Sequence, residues 1–298
     1  MKKIIRATLV LLICIATGPV MAKLRVFACE PEWAALAGAV GGDQLILYSA
    51  TTAQQDPHHI QARPSLIARV RRADLLVCTG ADLEIGWLPL LLRKSGNAKV
   101  QPGQPGHFMA TEHVTLLEKP ARLDRSLGDV HAAGNPHIHL DPHRLLQVAE
   151  ALTRTLSGID AENTAHYRKN FAAFKGRWEA AIEAWKERVQ PLRGKRIVVH
   201  HQSWPYLERW LGLQRVATLE PKPGVPPSGG HLARVLDDMR KQPADMILYA
   251  DYQDDRAARW LSEKTGIKTV ALPFSVDDDG DLIQWFEALL GKLLETAS

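Results

Sequence analysis

Four short segments carry histidine or aspartate in series: Asp56-Pro57-His58-His59, Asn135-Pro136-His137-Ile138-His139, Val199-His200-His201-Gln202 and Asp277-Asp278-Asp279. They stand about 60 to 80 residues apart, each near the point where an apolar run gives way to turn-forming residues. Imidazole and carboxylate are the ligand types that a borderline ion such as Zn2+ prefers, and segments this distant meet only through the fold. The series therefore points to a transition-metal site. Adjacent side chains at a strand end point in opposite directions, so at most one histidine of each neighbouring pair faces such a site.

The elements that must position these groups can be traced from the apolar periodicity. From Lys23 to about Leu156, strand-like and helix-like segments alternate. Strands are expected at Leu24–Ala28, Gln44–Tyr48, Leu75–Cys78 and near Lys99–Gln101, with helices at Glu32–Val40, Pro64–Arg72, Trp87–Lys94 and Arg144–Thr155. The turn formers of residues 101–106 predict an exposed, mobile loop. In the middle, Tyr167, Phe171, Phe174, Trp178, Ile182, Trp185 and Val189 recur at steps of three and four. They define one apolar stripe on a helix from about Ala161 to Val189, with Asp160 as its expected N-cap. A helix of that length runs roughly 40 Å and resists wide hinge motion between the units it joins. Its aromatic stripe reads as core packing.

After Lys195 the alternation resumes. Strands are expected at Arg196–Val199, Val216–Leu219, Met246–Ala250 and Lys268–Leu272, and helices at Tyr206–Trp210, Leu232–Lys241, Asp255–Thr265 and Asp281–Leu294. The fold class is thus α/β, with two lobes, each a parallel sheet flanked by helices, joined by a long rigid central helix, and a metal site in the cleft between them. The expected division is a signal peptide over 1–22, an N-terminal lobe over 23–156, the connecting helix within 157–191 and a C-terminal lobe over 192–298.

The leader reading rests on the basic head Met1-Lys2-Lys3-Ile4-Ile5-Arg6, an apolar run from Ala7 to Val20 too short for a comfortable membrane span, and small residues ending at Ala22. Cys14 follows Ile13 inside that run and is not read as a lipidation site. The mature chain is expected to start at Lys23 and to be soluble outside the cytoplasm. The formal charge of +4 includes Lys2, Lys3 and Arg6, so the mature chain carries 34 basic against 33 acidic residues. That balance suggests neither a nucleic-acid partner nor a membrane-surface one. Cys29 and Cys78 each end an apolar run at the same edge of one sheet, and in an oxidising compartment they form either a disulfide or two small buried thiols.

The run His137-Ile138-His139-Leu140-Asp141-Pro142-His143 resembles the His-x-His-x-Asp-His signature of metallo-β-lactamase-type hydrolases, but Pro142 displaces the last histidine by one residue. The alternative of a secreted zinc hydrolase also needs an open coordination position and a general base. No His-Glu-x-x-His is present to supply them.

Three ordered motifs and the long helix carry a resemblance over the whole mature chain to the periplasmic zinc- and manganese-binding receptors of ABC importers (cluster A-I solute-binding proteins). In that family the first ligand histidine stands six residues before a Pro-Ser pair, which here selects His58 ahead of Pro64-Ser65. The motif Asn-Pro-His-x-Trp-Leu-Asp-Pro is matched at 135–142 except that His139 replaces the aromatic, and selects His137. The third motif is matched by His201-Gln202-Ser203-Trp204-Pro205-Tyr206 and selects His201. The resemblance demotes His59, His139 and His200.

For the fourth ligand many relatives carry Asp-Pro after the last strand, where this chain has Leu272-Pro273-Phe274-Ser275-Val276 and then the aspartate run. Asp277 or Asp278 is the expected substitute, with Glu220 or a metal-bound water as alternatives. The resemblance implies a non-enzymatic, closed site that carries Zn2+ as cargo. Mn2+ is the less favoured ion, because manganese sites recruit more oxygen. It implies delivery to a membrane permease by a monomer, with a periplasmic metallochaperone as a further candidate partner. An adhesin or a metal-storage protein on the same scaffold is the remaining alternative. The family's long histidine- and acid-rich loop is absent. His107, His113 and His131 read as solvated surface side chains, with capture or release of the ion as the alternative role.

Overall fold

The apolar run that opens each half becomes the inner strand of a sheet. The first half contains β1 (Leu24–Ala28), α1 (Pro31–Gly41), β2 (Leu45–Ser49), α2 (Pro64–Arg72), β3 (Leu75–Cys78), α3 (Leu88–Ser95) and β4 (His107–Met109). Two helices follow, α4 (Pro142–Ile159) and α5 (Thr164–Arg188). The second half contains β5 (Arg196–Val199), α6 (Pro205–Leu211), β6 (Gln214–Thr218), α7 (Gly229–Lys241), β7 (Met246–Ala250), α8 (Arg256–Thr265), β8 (Thr269–Leu272) and α9 (Leu282–Ala297). The structure is a computed structural model and describes residues 22–120, 128, 131–277 and 280–297. All of the expected signal peptide except Ala22 lies outside the described residues.

Both sheets are parallel and share one topology, β2-β1-β3-β4 and β6-β5-β7-β8. In each, the chain leaves the inner strand to one side and returns on the other, which opens a crevice beyond the carboxyl ends of the strands. The two-lobed α/β fold expected from the alternation is the fold observed. Inner strands are buried on both faces: Val26 and Ala28 of β1 join the central core, while Phe27 and Cys29 face α2 and α3. In β5, Ile197 and Val199 face the central core and Val198 faces α7 and α8. The central core is continuous through both lobes and contains the α5 stripe. Tyr167, Phe174, Trp178 and Trp185 are fully enclosed, and Trp178 and Trp185 meet Phe286 of α9 at ring separations of 5.4 and 5.3 Å.

Cys29 and Cys78, at the ends of neighbouring strands, form a disulfide with a Cα separation of 4.8 Å. Two local expectations need correction. Residues 98–100 form a 3-10 turn, not a strand, because the Asn97 side chain accepts the Lys99 N–H and only Val100 is apolar enough to bury. The fourth strand lies at His107–Met109, after the Pro/Gly segment. That segment is exposed at 102–105, and Gln101 before it donates to the carbonyls of Leu92 and Asn97. Asp160 caps no backbone N–H at the start of α5. Its carboxylate accepts instead from the Tyr167 hydroxyl at 2.6 Å and the Asn163 amide at 2.8 Å.

Candidate metal centre

His58 and His137 reach the cleft through the same local device. Each follows an Asx-Pro pair, and in each the Asx side-chain oxygen accepts two bonds from the histidine two residues on. Asp56 Oδ1 lies 3.0 Å from the backbone N and 2.8 Å from Nδ1 of His58. Asn135 Oδ1 lies 3.1 Å from the backbone N and 2.8 Å from Nδ1 of His137. An Asx turn with proline at its second position fixes the backbone, and the same oxygen then fixes the ring. The Trp87 indole anchors the first turn by donating to the Pro57 carbonyl at 2.9 Å. The Asn135 amide donates to the Gln202 carbonyl of the other lobe at 2.8 Å.

His201 arrives differently, two residues past the end of β5, and its Nδ1 lies 2.7 Å from Glu220 Oε2. That carboxylate oxygen also accepts the Gly224 N–H at 3.0 Å, which ties the Pro-rich loop to the site. The three imidazoles converge: one ligand atom from each of His58, His137 and His201 lies within 4.8 Å of the others. The Nε2 atoms of His58 and His137 are buried and have no hydrogen-bond partner. With Nδ1 held by an oxygen, Nε2 is the free ligand atom, and such an acceptor fixes the tautomer and ring orientation of a metal-binding histidine. Burial, and then the neighbouring His58, His201, His131 and His139, push the His137 imidazole well below its ordinary range. It therefore stays neutral, the form that binds metal.

The residues set aside by motif spacing all point elsewhere. His59 is exposed. His139 is buried, donates from Nε2 to the Phe274 carbonyl at 3.1 Å, and stacks on Trp285 at 5.9 Å. It thus fills the aromatic position of its motif as a packing ring. His200 lines a different cavity with Pro226, Pro227 and Asp254. Asp141 caps α4 by accepting the backbone N–H groups of His143 and Arg144, and His143 is exposed, so the run 137–143 forms no hydrolase-type ligand set.

The carboxylates occupy other places. Asp277 is exposed beyond β8 and is not among the groups that converge on the imidazoles, and Asp278 lies outside the described residues. The ring of Phe274 covers His137 at 5.6 Å. Glu220 sits behind His201 as a hydrogen-bond acceptor. Sequence reasoning missed Asp56 and Asn135 as orienting groups. The repeated Asx-Pro-His spelling was the available signal. It also missed His131, which stands against His58 at a ring separation of 5.4 Å. His107 and His113 lie away from the centre: His107 Nδ1 pairs with the Val100 carbonyl, and His113 stacks on Phe108.

The chain is similar to known proteins over most of its length. The zinc-binding lipoprotein AdcA of Streptococcus pneumoniae is 26% identical over 237 residues, covering 78% of this chain and 46% of its own length, so the chain spans about half of that relative. The metal ABC transporter substrate-binding lipoprotein SloC of Streptococcus mutans is 23% identical, covering 92% of this chain and 90% of its own. A crystal structure of ZnuA superposes with a TM-score of 0.78 at 21% identity, covering 93% of this chain and all of the other, and so shares the fold. These curated relatives are named lipoproteins, in contrast to the unlipidated chain expected from the sequence, and Cys14 lies outside the described residues. Among the described residues no helix is long and apolar enough to cross a membrane. The family model described as zinc-uptake complex component A, periplasmic, matches residues 26–296, and the chain belongs to that family, the metal-binding receptors of ABC importers.

Proposed function

We propose that this receptor binds Zn2+ as cargo through Nε2 of His58, His137 and His201 and delivers it, as a soluble periplasmic monomer, to an importer permease. The observation that carries the reading is the set of three converging imidazoles, each held at Nδ1 by a neighbouring oxygen. Three nitrogen ligands suit zinc better than manganese, which takes oxygen-rich sites. Family members differ on this point: AdcA is named for zinc, and the PsaA protein of Streptococcus mitis, 22% identical, for manganese. Among the described residues, no carboxylate at the centre is free to act as a general base. Asp56 and Glu220 are both committed to holding histidine rings.

The test is titration of the apo-protein with Zn2+ and Mn2+ against a competing chelator. The expected result is one tight zinc site, lost in His137→Ala and His201→Ala, with manganese at least 100-fold weaker. Equal affinity for the two ions, or tight zinc binding retained without His137, would overturn the reading.

A further inference from the structure

His131 is no surface histidine. It lies on the segment that leads into Asn135, with its ring centroid 5.4 Å from His58 and 6.3 Å from His137. Its Nε2 is buried without a hydrogen-bond partner, the same condition as Nε2 of His58 and His137. The ring also faces the backbone of Ala81, whose φ of 49° is unusual for a residue other than glycine. It lines one cavity of about 490 Å3 together with His137 and His201.

The backbone that carries His131 is fixed on its C-terminal side. Gly134 donates to the His131 carbonyl at 3.2 Å, and Asn135 donates to the Leu117 carbonyl at 2.8 Å. Gly134 itself has φ of 127°, and a Cβ there would stand 2.8 Å from Leu116 Cβ and from the Leu117 carbonyl, so only glycine fits. The turn thus holds His131 over the site at a set distance from His137.

We infer that His131 supplies the fourth ligand, closing an all-imidazole site around the bound dication. The inference rests on the zinc reading of the other three histidines. Four nitrogens complete the tetrahedron that Zn2+ prefers. The competing oxygens are committed or exposed: Asp56 and Glu220 hold His58 and His201, and Asp277 faces solvent. His131, like Asp277, stands outside the three groups that converge within 4.8 Å, so its ring must swing inward from its buried position to complete the site. Phe274 covers His137 at 5.6 Å, on a ring that offers no ligand atom. Charge is balanced one layer out, where the Asp56 and Glu220 carboxylates, bonded to the Nδ1 atoms, offset the two positive charges that neutral imidazoles leave on the ion. A site without direct carboxylate ligands excludes manganese more strongly than one with an aspartate in fourth place.

X-ray absorption of the zinc-loaded full chain, together with chelator competition on variants, tests this. The native protein should show four imidazole nitrogens. His131→Ala should show three nitrogens plus one light atom and bind zinc more than 100-fold more weakly. Asp277→Ala and Asp278→Ala should bind within threefold of the native chain. Three nitrogens and an oxygen in the native protein, or an unchanged affinity in His131→Ala, overturns the inference. The parallel His137→Ala variant separates the two readings. If it keeps tight zinc, the three-histidine site fails as well. If it loses zinc while His131→Ala does not, only the fourth ligand fails. Retention of the native far-UV spectrum by apo His131→Ala shows that the variant has folded.

Discussion

Glu220 offers a sharp test of how the centre is built, because a ligand and an orienting group respond differently to its removal. In the structure its Oε2 lies 2.7 Å from His201 Nδ1 and 3.0 Å from the Gly224 nitrogen. Replacement by alanine leaves Nδ1 without its fixed acceptor, so the ring can rotate and take either tautomer. Loss of such an outer partner weakens metal binding by about 10- to 100-fold, or roughly 1.4 to 2.7 kcal/mol. Glu220→Gln keeps an amide oxygen within reach of Nδ1 but loses the negative charge, and should fall between the native chain and Glu220→Ala. The assay is zinc competition with a chromogenic chelator at pH 7.5, with apo-protein melting followed in parallel. Zinc affinity unchanged in Glu220→Ala would refute the orienting role. A loss of several thousandfold would refute it from the other side, by making the carboxylate a direct ligand.

Three further outcomes are expected. Reducing the Cys29–Cys78 bridge, which closes a loop with a sequence separation of 49, should destabilise the apo-protein by about 4 kcal/mol on loop entropy; a shift below about 1 kcal/mol in guanidinium unfolding would contradict it. Burial pushes the Glu208 carboxyl up to about 7, with Arg215 pulling it down and Glu118 pushing it up. The folded chain therefore holds a proton that the unfolded chain releases above its ordinary 4.5, and this contribution, present at low pH, is lost as pH rises through about 7. Glu208→Gln should remove up to about 3 kcal/mol of the stability difference between pH 5 and pH 8, and an identical pH slope in the two proteins would defeat the assignment. Tyr206→Phe deletes a hydroxyl that donates to the Asn135 carbonyl at 2.6 Å and accepts the Leu117 N–H at 3.0 Å. It should cost about 1 to 3 kcal/mol in urea unfolding, and the tenfold change in zinc off-rate expected of a hinge should be absent.

Much of the architecture was legible because it is written locally. The strands Leu24–Ala28, Leu75–Cys78, Arg196–Val199 and Met246–Ala250 are continuous apolar runs buried on both faces, and the α5 stripe repeats over seven positions. β4 was not legible. It has only three residues, begins with a histidine, and is defined by its pairing with Leu76–Cys78 rather than by any pattern of its own. The centre divides in the same way. His58 and His137 announce themselves through Asx-Pro-His, a signal carried within three residues. Glu220, Phe274 and His131 are placed by contacts across 19, 137 and 73 residues with His201, His137 and His58 respectively, and no local periodicity reports such pairings.

The closed cleft also constrains how an ion can leave. Four buried or half-buried contacts bridge the lobes around the centre: Tyr206 to Asn135, Asn135 to Gln202, His139 to the Phe274 carbonyl, and Ser275 to Glu32. At about 0.5 to 1.5 kcal/mol net each, breaking them together costs roughly 2 to 6 kcal/mol. That figure does not include the apolar core that runs unbroken through α5 and would be strained by any wide opening. His131 and Glu220 belong to neither the core nor these bridges. His131 sits on a loop segment whose withdrawal breaks its Ala81 contact, whereas Glu220 is held by His201, Gly224, Thr218 and the His200 carbonyl together. Withdrawal of the His131 loop is therefore the lower-cost exit. A receptor built on a rigid helix can release its cargo by loosening one side of the cage while His58 and His137 stay fixed on their Asx turns.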